Sequence, residues 1–181
     1  MTIKSLCIFC GSRVGKNEQY QEEAIKVGEI LAKNQVKLVY GGGRVGLMGS
    51  LADSVLESGG EVTGVIPESL VSREVAHFGL SVLKVVNTMH ERKELMYQWS
   101  DAFLALPGGF GTLDEFCEIF TWFQLGIHQK PVAFLNIAGY FDSLIQHFQH
   151  SVHQGFVDQA LFDKIKVLQQ SSEVEDFLSG L

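Results

Sequence analysis

The 181-residue chain lacks any apolar run approaching the ~18 residues of a membrane-spanning helix. It has three prolines and three cysteines, and 46% of its residues are apolar against 19% charged. That composition excludes a disordered or fibrous chain. Basic charge is also scarce. Fourteen Lys and Arg face 21 Asp and Glu, for a net charge of −7, which argues against the basic patch or stripe that nucleic acid or an anionic membrane would need. Any phosphate must therefore be met locally. The P-loop pattern GxxxxGK[ST] is missing, so nothing points to triphosphate hydrolysis. The opening "MTIKSLCIFC" carries one lysine, too short an apolar stretch and no small-residue cleavage site, which predicts a cytoplasmic protein.

Length alone allows one domain over residues 1–181, large enough to bury its own core without staples or metals. Seven short β-rich runs ("SLCIF", "KLVY", "EVTGVI", "SVLKVV", "AFLAL", "PVAFL" and the weaker "KIKVL") alternate with helical patterns. The alternation predicts an α/β fold: one doubly wound, Rossmann-like domain with a central parallel sheet of about seven strands and helices on both faces. Its strands are nearly continuous in apolar residues, as strands covered on both faces must be. Ligands of such sheets bind beyond the carboxyl ends of the strands. The unusual residues do follow strands: "CGS", "YGGG", "PES", "NTMHERK" and "PGGFGT".

Two of these loops are rich in glycine. "GGGRVG" matches GxGxxG through Gly41, Gly43 and Gly46 and sits between a strand and a helix, the context of a dinucleotide fingerprint. The acid expected about 20 residues on is Glu68, but it lies beyond Pro67, past the strand end, and the loop belongs to the second βα unit. "PGGFGT" suits a smaller anion, because glycines admit close backbone approach and the following helix N-terminus offers free N–H groups. Together the loops read as a mononucleotide cradle.

Thr112-Leu113-Asp114-Glu115 has the spacing of a capping box, which would explain Glu115 without chemistry. The alternative is a carboxylate held ionised beside the anion loop. A phosphate and a carboxylate share a pocket only with cations between them. On a helix, "MHERKELMYQW" places Met89, Arg92, Lys93, Met96 and Trp99 on one face. Arg92 and Lys93 thus either snorkel from the apolar stripe or face an anionic ligand.

Three further features have plainer readings. Cys7 and Cys10 have CxxC spacing but lie in a strand, where residues three apart face opposite sides, so core cysteines are expected. His147, His150 and His153 drift round a helix with no carboxylate or cysteine to complete a metal set, which reads as a polar face. The helix after "PGGFGT" is apolar nearly all round, with Phe116, Cys117, Ile119, Phe120, Trp122, Phe123 and Leu125. It must be buried on several sides, within one subunit or against a second.

"PGGFGTLDE" resembles the PGGxGTxxE motif of the LOG ("lonely guy") family, the cytokinin riboside 5′-monophosphate phosphoribohydrolases. "YGGGRVGLMG", "MHERK", and "WFQLGIHQKPV" followed by "GYFDSL" also look like that family, in the same order. The resemblance implies hydrolysis of the N-glycosidic bond of a purine nucleoside 5′-monophosphate, such as AMP or its N6-isopentenyl form, without metal or cofactor. It implies catalytic roles for Arg92 and Glu115. Substrate contacts would come from Glu74 in "SRE", Arg92, Lys93, Gly108, Gly109, Phe110, Gly111, Thr112, Glu115 and Thr121, with Gly11, Ser12, Gly42 and Gly43 lining the pocket. It further implies a homodimer with pockets near the interface. The family usually has Glu where this chain has Asp114. A rival of another class is a non-catalytic nucleotide-binding or molybdenum-cofactor carrier protein. A lysine decarboxylase label has also been attached to such proteins, but no lysine here is marked out for pyridoxal phosphate chemistry.

Overall fold

A computed structural model describes residues 3–71 and 76–180. Seven strands, β1 (Ser5–Phe9), β2 (Lys37–Tyr40), β3 (Val62–Pro67), β4 (Val82–Val86), β5 (Ala102–Ala105), β6 (Val132–Leu135) and β7 (Ile165–Leu168), form one sheet in the order β4-β3-β2-β1-β5-β6-β7. All six pairings are parallel. The expected strands are all present, in the expected fold class.

Alternate strand residues feed two cores. Leu6, Ile8 and Cys10 pack with α1 (Gln19–Lys33), α2 (Gly46–Glu57) and α8 (Val174–Ser179) on one face. Cys7 and Phe9 pack on the other with α4 (Met89–Gln98), α5 (Phe110–Gln124) and α6 (Asp142–His153). The CxxC cysteines therefore lie on opposite sides of the sheet, and burial pushes both thiols well above their ordinary value. Core side chains such as Leu104 and Phe134 are fully buried, each contributing on the order of 1.5–3 kcal/mol of apolar transfer free energy. Two short helices, α3 (Glu68–Val71) and α7 (Gln159–Phe162), complete the set.

The topology decides where a ligand goes. From β1 the chain winds outward through β2, β3 and β4, then returns through α4 to β5, on β1's other side. Strand order reverses between β1 and β5, and a crevice opens at their carboxyl ends.

Candidate active site

The two glycine loops at this edge have different fates. The Gly11 carbonyl accepts the Leu47 and Met48 amides at 3.0 and 3.4 Å, so the start of α2 is already satisfied by the loop after β1. Gly46 has φ +64°, and any β-carbon there would lie 2.2 Å from the Ser12 carbonyl carbon. The "GGGRVG" loop is thus packed under the chain after β1, and Glu68 stands exposed beyond β3. That arrangement is incompatible with a dinucleotide's pyrophosphate on α2.

The start of α5 is built differently. Its N-cap is Gly109, with no side-chain cap, and β-carbons added at Gly109 or Gly111 would meet nothing within 4 Å. A helix N-terminus so exposed, with its positive dipole end, is suited to an anion. The Gly11 amide donates to the Pro107 carbonyl at 3.0 Å and ties the loops after β1 and β5 together.

The N-cap at Gly109 removes the capping-box account of Glu115. Thr112 is already the third residue of α5 and is buried, and Glu115 lies in the second turn, half-buried. A variant of the box forms at α4 instead, with Thr88 as N-cap and Glu91 reaching back one residue beyond it. The Thr88 hydroxyl accepts the Glu91 amide at 3.1 Å, and the Glu91 carboxylate accepts the Asn87 amide at 3.0 Å. This capped start delivers Arg92 inward. Its side chain is 6% exposed, Nη2 donates to the Gly41 carbonyl at 3.2 Å, and Nη1 lies 3.6 Å from Met89 Sδ. The snorkelling alternative fails for Arg92.

Arg92 and Glu115 line one cavity of about 220 Å³, together with Gly41, Met48, Gly11 and Ser12 and the first turn of α5. Glu115 shares this cavity with Ile8, Phe9 and Cys10 at the end of β1, and burial together with the nearby Glu115 charge raises the Cys7 and Cys10 thiols. A second cavity of about 470 Å³ lies behind, walled by Tyr20, Leu47, Tyr140 and the β1–α1 loop. The two share Gly11, Ser12, Gly109 and Phe110 as a common throat.

Of the residues expected from the sequence, Gly11, Ser12, Arg92, Gly109, Phe110, Gly111, Thr112 and Glu115 meet on the first cavity, and Gly108 lines the second. The others lie elsewhere. Gly42 and Gly43 are buried beneath it, the Gly42 carbonyl accepting the His77 amide at 3.0 Å and the Gly43 carbonyl the Tyr40 hydroxyl at 3.1 Å. Lys93 turns to α5, its ammonium 3.0 Å from Asp114 and 3.3 Å from Glu118. Thr121 is exposed, and its hydroxyl donates to the Cys117 carbonyl at 2.6 Å. Glu74 lies outside the described residues. Gly41 was missed as a wall residue although it directly follows β2, the position that signals the binding edge. His147, His150 and His153 are exposed on α6, and among the described residues no group of three or more His, Cys, Asp or Glu could hold a metal ion.

Residues 48–178 match the family described as "Possible lysine decarboxylase". The cytokinin riboside 5′-monophosphate phosphoribohydrolase LOG7 of Arabidopsis thaliana is 49% identical over 85% of this chain and 71% of its own length. The cytokinin riboside 5′-monophosphate phosphoribohydrolase of Rhodococcoides fascians is 47% identical over 92% of this chain and 84% of its own. The chain belongs to the LOG family. Among solved structures, the molybdenum cofactor carrier protein of Chlamydomonas reinhardtii superposes with a TM-score of 0.74 at 18% identity, covering 97% of this chain and 96% of that one. The molybdenum cofactor binding protein of Rippkaea orientalis gives 0.72 at 18% identity, over 99% and 98% of the two chains. At that identity they share the fold alone. The LOG-family chain thus shares its fold with proteins named as molybdenum cofactor carrier and binding proteins.

Proposed function

We propose that this LOG-family chain hydrolyses the N-glycosidic bond of purine nucleoside 5′-monophosphates, AMP and its N6-isopentenyl form among them, to free base and ribose 5-phosphate. One observation carries the reading: two successive crossover helices, α4 and α5, bring Arg92 and Glu115 to a single cavity beside an uncapped helix start. The names of the relatives support the same activity.

Breaking a ribosyl C–N bond develops oxocarbenium-like charge on the sugar. Glu115 faces that charge and orients the attacking water. The water oxygen bonds to C1′, the C1′–N9 pair leaves with the purine, and the water's proton ends on the base. Arg92, buried in the same cavity, balances the carboxylate and stabilises the electron pair moving onto the leaving purine. The 5′-phosphate lies at the start of α5, whose amides and dipole hold it while the sugar is positioned. Preorganised charge and orientation supply most of the rate, since proton transfer contributes only about 10²- to 10⁴-fold.

In this reading the enzyme works in the cytoplasm as a homodimer joined through the outer face of α5, where Cys117, Thr121 and Leu125 are exposed. No helix among the described residues is long and apolar enough to cross a membrane. The deciding experiment incubates the protein separately with AMP and N6-isopentenyl-AMP and resolves free base and ribose 5-phosphate by chromatography. Release from neither overturns the reading. Binding without turnover favours a carrier.

A further inference from the structure

The anion expected at the throat enters a chain that repels it. The protein carries −7 overall, and Glu115 stands on the cavity wall. A dianionic phosphate therefore needs a local cation, and the nearby cations divide by what they already do. Arg92 is buried against the Gly41 carbonyl, on the wall of the first cavity. Lys93 is 12% exposed and held between Asp114 and Glu118. Arg13 is different. It is exposed on the β1–α1 loop, lines the second cavity, and forms no ion pair among the described residues.

Its backbone position is also well defined. Gly11, two residues before it, is pinned on both sides, its amide to Pro107 and its carbonyl to Leu47. The Ser12–Arg13 peptide lies against Gly46, where a β-carbon would come within 2.3 Å of the Arg13 amide nitrogen. The stem of Arg13 thus starts from a fixed point on the wall of the second cavity, which the start of α5 also lines through Gly109 and Phe110.

We propose that Arg13 anchors the substrate's 5′-phosphate, gripping it from the second cavity while the α5 amides hold it from the first. A guanidinium matches phosphate oxygens in a two-pronged geometry and stays charged at any working pH. Arg13 is then a substrate-anchoring residue, acting before the bond-breaking step and equally on substrate and on ribose 5-phosphate. The assignment rests on the nucleotide reading above, but it is testable apart from hydrolysis because ribose 5-phosphate carries the same phosphate.

The experiment compares wild type, Arg13→Ala, Arg13→Lys and Lys16→Ala. Lys16 is an exposed cation of the same loop that lines neither cavity, and it controls for general charge. Calorimetric titration with ribose 5-phosphate should show Kd rising about tenfold in Arg13→Ala, the effect of one lost charge-assisted contact, with partial recovery in Arg13→Lys and none lost in Lys16→Ala. With AMP, Arg13→Ala should raise KM by the same factor and retain kcat, a split that a folding defect would not give. Salt should weaken ribose 5-phosphate binding less steeply in Arg13→Ala than in wild type. Ribose 5-phosphate binding that is equal in Arg13→Ala and wild type, or absent from wild type, overturns the assignment. If ribose 5-phosphate binding depends on Arg13 but AMP is not cleaved, the anchor stands and the hydrolase reading falls.

Discussion

The guanidinium of Arg92 occupies the space where residue 41 would carry a β-carbon: Nη2 is 3.2 Å from the Gly41 carbonyl oxygen and 1.9 Å from that missing atom. Glycine at 41 and arginine at 92 are therefore one device, built from the end of β2 and the first turn of α4.

Gly41→Ala should expel the guanidinium from its seat. Displacements of that size at a reacting centre cost on the order of 10²-fold in rate. The decisive measurement is a double-mutant cycle on kcat/KM: Gly41→Ala should cost little more once Arg92 is already Ala, because both changes remove the same placement. Independent, additive losses would show that Gly41 matters for some other reason.

Glu115→Gln keeps the shape of the side chain and removes its charge. With the helix start at Gly109, the carboxylate has no capping role to lose. Base release should fall about 10²- to 10⁴-fold in a variant whose circular dichroism shows that it still folds at the assay temperature. A variant that releases adenine at the normal rate would remove Glu115 from the chemistry.

The sheet was legible because strands covered on both faces must be apolar almost throughout, and "AFLAL" or "PVAFL" admits no other reading at that length. The site was legible in part. The pattern T-x-x-E occurs twice near it, as "TMHE" and "TLDE", and local spacing cannot say which one caps. "TMHE" caps α4, while the glycines before "TLDE" let α5 begin earlier, so Glu115 falls in the second turn and on the cavity wall instead of at the cap. Which glycine loop meets the ligand depends on Ser12 and Arg13 covering Gly46, a contact between residues more than thirty apart. The partners of Lys93 likewise come from the next crossover helix, and no helical-face argument on α4 alone could supply them.

Lys93 ties the helix carrying Arg92 to the helix carrying Glu115. Partial burial works against its charge, but hydrogen bonds to Asp114 and Glu118 outweigh it and hold the ammonium above the ordinary lysine range. A raised cation contributes stability that is complete below its unfolded-state titration and is lost as pH climbs through the folded one. Lys93→Met should therefore lose about 0.5–1 kcal/mol at neutral pH, the range for partly exposed pairs. Denaturant melts should show its deficit against wild type closing as the solution becomes strongly alkaline. A deficit constant across the lysine titration would mean that packing of the stem, not the ion pair, was lost.

The outer face of α5 and the turn after it expose more apolar surface than a lone subunit gains from. Leu125, the C-cap, is 68% exposed and Ile127 is 56% exposed, while Phe116 and Ile119 on the inner face are buried. Covering one leucine is worth about 1.5–3 kcal/mol, so a second copy laid against this face would be held by a few such side chains. Leu125→Glu places a charge there without touching either cavity, since Leu125 lines neither. Sedimentation should show wild type near twice the 20.0 kDa chain mass and Leu125→Glu near one chain mass. If the variant instead sediments as wild type does, the subunits meet elsewhere, and the exposed Thr121 on this helix stands far from any shared pocket.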